Sequence, residues 1–144
     1  MKFLKPMSVL FSLVVAAAAL PSVANAQYYA PRQPATTPVL LLGTAHVDGL
    51  TDHDDIKVGR YAGRFHSVLL KVQYAPIQFD HVVIHYGDGQ AETLPVRTYI
   101  GVGRSSRWIV LPGGDRMIKS LELWYARAEP GNPMKPEVEL YGAL

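Results

Sequence analysis

Two stretches in the middle of the chain each put their apolar residues on one face at a period of two. Val68, Leu70, Val72 and Tyr74 alternate with Ser67, Leu69, Lys71 and Gln73, and Val82, Ile84 and Tyr86 alternate with His81, Val83 and His85. Successive side chains of an extended backbone point in opposite directions, so this period predicts strands with one buried face. The same reading predicts further strands over 39–47, 55–58, 91–96, 107–111, 117–126 and 136–141. Between them stand turn formers: Gly87-Asp88-Gly89, Gly101-Val102-Gly103, Pro112-Gly113-Gly114-Asp115 and Pro130-Gly131-Asn132-Pro133. No segment keeps a helical repeat for three turns without a glycine or proline. The pattern therefore predicts an all-β domain, a two-sheet antiparallel β-sandwich of about eight short strands, with a barrel as the alternative. A weak echo, Ile56-Lys57-Val58-Gly59-Arg60 against Ile100-Gly101-Val102-Gly103-Arg104, raises the expectation of two similar halves stacked face to face.

The N-terminus breaks this pattern. Lys2 and Lys5 precede an apolar run from Val9 to Leu20, and Ala24-Asn25-Ala26 follows with the small residues of a cleavage site. Residues 1–26 thus read as a cleaved signal peptide, too short in its apolar part to cross a bilayer, and the protein is expected to be periplasmic or secreted. Residues 27–38, rich in proline and threonine, read as an extended, disordered arm, leaving 39–144 as the β domain. Removing Lys2 and Lys5 from the 14 basic residues leaves as many as the 12 acidic ones. A neutral mature chain offers no persistent field for a nucleic acid, so none is expected as a partner. There is no cysteine, so the core must hold without disulfides.

Three groups of residues carry candidate chemistry. Asp48, Asp52, Asp54 and Asp55 crowd one short stretch, and oxygen donors converging from a loop suit calcium. The spacing is not that of an EF-hand, since Ile56 and Gly63 fall where ligands are needed. An acidic turn capping backbone amides is the favoured reading, with Asp52, Asp54 and Asp55 the calcium alternative. Among the five histidines, His81 and His85 are four apart on a predicted strand, about 13 Å, too far for one zinc. The third group lies between Arg97 and Lys119, where Arg97, Arg104, Arg107, Arg116 and Lys119 face only Asp115 as a counter-charge in sequence. Guanidinium groups near Thr98, Ser105 and Ser106 can hold a carboxylate, sulfate or phosphate, and Trp108 or Trp124 can stack on a sugar ring. Arg104, Arg107, Arg116 and Trp108 are the candidate ligand-binding residues. The competing reading pairs those arginines with the Asp52–Asp55 stretch and puts the tryptophans in the core. No nucleophile elbow, zinc-helix motif or phosphate loop occurs, and no catalytic residue or cofactor is expected. A triad through Ser105 or Ser106 would be invisible to sequence order.

Leu41-Leu42-Gly43, the acidic stretch leading to Asp54-Asp55-Ile56, Ser106-Arg107-Trp108-Ile109, and Arg116 followed by Ser120 resemble the YaaI-like group of small secreted bacterial proteins of unknown function. The resemblance covers most of the chain from Leu40 onward and implies export and a small domain. It implies no activity. Enterobacterial members carry cysteines that this chain lacks, so no disulfide carries over. The leading expectation is a non-enzymatic binding module that takes an envelope protein, an anionic glycan or another acidic partner through its arginine-rich loops. The alternative is an envelope hydrolase or metal-dependent enzyme using His and Asp side chains.

Overall fold

The computed structural model describes residues 36–144, apart from the side chains of Thr51 and Asp52. The signal peptide expected over 1–26 and the arm up to residue 35 lie outside the described residues. Eight strands follow: β1 (Val39–His46), β2 (Thr51–Lys57), β3 (Ser67–Gln73), β4 (Ile77–Tyr86), β5 (Ala91–Ile100), β6 (Ile109–Val110), β7 (Ile118–Arg127) and β8 (Glu137–Ala143). They form two antiparallel four-stranded sheets, β1-β8-β3-β6 and β2-β7-β4-β5, with no helix among the described residues. The architecture is the sandwich, and the sheets do not close into a barrel.

One core lies between the sheets. Val68, Leu70 and Val72 of β3 face Phe79, Val82 and Ile84 of β4 across it, joined by Leu121 and Leu123 of β7 and Val138 and Leu140 of β8, all essentially buried. Burial of such side chains stabilises the fold by roughly 1.5–3 kcal/mol each, which is how a chain without cysteine holds together. Gly142 sits where any Cβ would lie 2.6 Å from the Phe65 ring and 2.8 Å from Leu42. Its missing side chain is what lets Phe65 plug the end of the core.

Three expectations need correction. Asp52, Asp54 and Asp55 do not lie in a turn, because the acidic stretch is itself strand β2, paired with β7 from Thr51↔Ala126 to Lys57↔Ser120. Ile56 is buried and Asp54 accepts a hydrogen bond from the Tyr125 hydroxyl, so tertiary packing overrides the low strand propensity of aspartate. Tyr74 does not continue the buried face of β3. It turns outward with φ 68°, ending the strand. Finally, each sheet takes strands from both halves of the chain, so the echo does not mark two stacked halves.

Candidate functional site

The outward face of β2-β7-β4-β5 carries an aromatic ladder. Strand register puts His53, Trp124 and His81 side by side on β2, β7 and β4, with Pro95 of β5 next in the row. The rings stack, with centroids 4.7 Å apart for His53 and Trp124 and 5.3 Å for His81 and Trp124. That spacing follows the distance between neighbouring strands. Both faces of the Trp124 indole are covered, and the indole remains 38% exposed. One row along, His85 Nε2 lies 2.7 Å from Glu122 Oε1. The His85 bond, helped by the Trp124 N–H, holds the Glu122 carboxyl below its usual range against the opposing effect of desolvation.

Beside this ladder the sheet is irregular. Against β7, β4 carries one extra residue at Asp80; against β5, the two residues Val96 and Arg97 oppose that same Asp80. Bulges break the ladder and re-aim side chains. Arg97 takes the left-handed φ of 41°, a conformation that costs a non-glycine residue about 1–2 kcal/mol. Asp80 Oδ2 lies 2.6 Å from His81 Nδ1. Arg97 makes no side-chain hydrogen bond or ion pair among the described residues, although both it and Asp80 line a trough of about 660 Å³ floored by Phe79, Tyr125 and Ala126 and edged by Trp124.

Arg97 also lines a second cleft, of about 400 Å³, at the seam where the edges β5 and β6 of the two sheets approach each other. The far wall is Ser105, Ser106, Arg107, Trp108 and Ile109. Backbone bonds pin this loop to β3: Val72 N–H donates to the Arg104 carbonyl, and Ser106 N–H to that of Leu70. The Ser106 hydroxyl accepts from Leu70 N–H at 3.0 Å and donates to the Arg107 carbonyl at 2.8 Å. Its hydroxyl therefore fixes the loop. Trp108 is 44% exposed and stacks on no ring among the described residues.

The sequence candidates separate accordingly. Arg107 and Trp108 share the seam cleft; Arg104 is exposed at the preceding turn. Arg116 belongs elsewhere. Its guanidinium lies 3.6 Å over the Tyr86 ring, donates to Asp88 at 2.9 Å and to Gln90, and stands 3.9 Å from Glu92. Arginine does brace carboxylates here, but those of the β4–β5 hairpin and not those of β2. Asp54 and Asp55 fall on opposite sides of β2, and no cluster of three or more His, Asp or Glu suited to a metal occurs among the described residues. The Asp48 carboxylate is held by Lys135 at 2.6 Å. Three histidines share one outward face; His46 lies instead on β1, 3.3 Å from Glu137. Asp80 was not legible as a site residue, because only the paired bulges bring it beside Arg97.

The fold and the site together define a small β-sandwich with an arginine-lined cleft at one open seam. The chain belongs to the family described as a domain of unknown function (DUF2541), whose profile matches residues 9–142. No curated protein matches it. Among solved structures it is similar to AlgX of Pseudomonas aeruginosa, with a TM-score of 0.45 and 17% identity over 73% of this chain. It spans 27% of that chain.

Proposed function

We propose that this DUF2541 domain is an exported, non-enzymatic module that binds an anionic ligand in the seam cleft, in keeping with the export implied by its YaaI-like resemblance. The observation that carries this reading is a pair of arginines, Arg97 and Arg107, which line one cleft beside Trp108 and make no intramolecular side-chain bond among the described residues. A guanidinium fork satisfies a carboxylate or sulfate with two parallel N–H donors, and an exposed indole adds a stacking surface. No His, Asp or Glu lines the cleft to serve as a base for Ser105 or Ser106, the Ser106 hydroxyl is engaged with backbone, and the His81–Asp80 pair opens onto the other side of β5.

The test is binding of mature protein to carboxylated and sulfated sugars against neutral ones, by calorimetry at low and moderate salt. Binding of the acidic sugars only, weakened about tenfold by Arg107→Ala and further by salt, supports the reading. Equal retention of neutral and acidic sugars, or an unchanged affinity in Arg107→Ala, would falsify it. Export is tested separately by the mass of the protein recovered from the envelope fraction, where an N-terminus other than Gln27 contradicts the expected cleavage.

A further inference from the structure

The seam cleft does not stand alone. Arg97 also lines the 660 Å³ trough on the outward face and a smaller depression of about 320 Å³ with Asp80, His81, Thr93 and Pro95. Each of the three has the volume of a small-molecule site, and Arg97, near the edge of the sheet, lines all three. We infer that the ligand is a chain, an acidic oligosaccharide that crosses the β5 edge at Arg97, with one unit against Arg107 and Trp108 in the seam and further units along the trough. This rests on the anion-binding reading above and adds the class and length of the ligand.

The local chemistry separates a glycan from the other acidic chains. An acidic peptide would gain most by adding a strand to the β5 edge, yet that edge is interrupted where the arginine stands. Pro95 has no N–H to donate, and the bulge at Val96 and Arg97 breaks the ladder geometry. A dense polyanion would meet the Asp80 carboxylate in two of the three depressions. The same carboxylate is a good acceptor for sugar hydroxyls, so a chain bearing hydroxyls as well as occasional acid groups satisfies both charges. The two tryptophans divide the work. Trp108 has no ring stacked on it among the described residues and can take the face of a sugar; Trp124, covered on both faces by His53 and His81, offers only its rim as a wall to the trough.

The experiment titrates the mature protein with a uronic acid monosaccharide, its oligomers of increasing length, a sulfated series of the same lengths, neutral oligomers and an oligoglutamate peptide. Affinity in an acidic-sugar series is expected to rise at least tenfold over the first few units and then level. Arg97→Ala should weaken every acidic length, whereas Gln78→Glu, at a residue that lines the trough but not the seam cleft, puts a repelling carboxylate there and should erase the gain with length and leave the monosaccharide unchanged. Thermal melts of both variants confirm that they are folded. Oligomers binding no better than the monosaccharide would overturn the chain and leave the anion site standing. Failure of every acidic sugar would overturn both. Oligoglutamate binding more tightly than an oligosaccharide of equal charge would overturn the glycan, and equal binding of neutral oligomers would remove the role of Arg97.

Discussion

The arginines of this domain stand in two opposite kinds of surroundings. Arg116, with its side chain 13% exposed, is enclosed by the hairpin it closes: Tyr86 below, Asp88 and Gln90 at hydrogen-bond distance, Glu92 beyond. Arg97 and Arg107 line one cleft with no carboxylate bonded to either among the described residues. The residue type is the same, and what differs is what strand pairing places opposite. The β4–β5 hairpin carries its own acids into reach of Arg116, and the Tyr86 hydroxyl, donating to Glu92 at 2.7 Å, completes the enclosure. Burial first, and then that bond to Glu92, push the Tyr86 phenol well above its usual range. Asp80, which shares two other depressions with Arg97, is held by His81 instead. An arginine whose partners are supplied locally becomes a brace, and one left without them keeps its hydrogen-bonding capacity open, which is the basis of the binding proposed above.

The largest expected effect is on stability. Arg116→Ala removes a charged hydrogen bond and a cation–π contact together, so it should cost about 2 kcal/mol and lower Tm by roughly 10 °C. Arg107→Ala should stay within about 0.5 kcal/mol of the parent in the same denaturant titration. Equal losses in the two variants would erase the contrast. A smaller effect, opposite in sign, is expected at Arg97. Replacing it by glycine relieves the left-handed backbone, offset in part by the greater entropy of the unfolded chain, so Arg97→Gly should leave stability level or raise it by up to about 1 kcal/mol. A marked drop would show that Arg97 also braces the fold.

The third measurement sharpens the brace through pH. The Gln90 backbone N–H, followed by the Arg116 guanidinium, holds the Asp88 carboxyl below its ordinary 3.8, while desolvation works the other way. A depressed folded-state value means that Asp88 contributes stability above the unfolded value, and that this contribution is lost as pH falls through the folded one. Asp88→Asn should therefore flatten part of the acid limb of the Tm-against-pH curve while leaving its neutral and alkaline parts unchanged in shape. Arg107→Ala, with no acid paired to it among the described residues, should leave the acid limb as in the parent. The smallest effect is expected from calcium, which should not move Tm in any of these variants, because no group of three or more acidic or histidine side chains among the described residues converges on a metal position.

Much of the fold could be read directly from residue order. Period-two alternation marks β3 and β4, the turn formers mark strand ends, and Arg107 next to Trp108 is visible as a candidate pair. These features are local: backbone geometry sends neighbouring side chains to opposite faces, so a buried strand leaves its trace in consecutive letters. The strand read over 55–58 caught only the end of β2; its first part escaped because aspartates that favour turns were outweighed by a buried Ile56 and a Tyr125 hydroxyl supplied from β7, some seventy positions away. Arg116 looked like its neighbours in sequence because Asp88 and Gln90, its partners, lie more than twenty-five positions earlier. The ladder of His53, Trp124 and His81, and the meeting of Asp80 with Arg97, depend on strand order and on two bulges at one level of the sheet. A bulge changes which residues stand opposite without changing the alternation of either strand elsewhere, so it leaves little trace in the sequence. Sequence alone therefore determined which residues are extended and which of their faces are apolar. Only the tertiary structure decided which charges meet, because register is fixed by packing between segments distant along the chain.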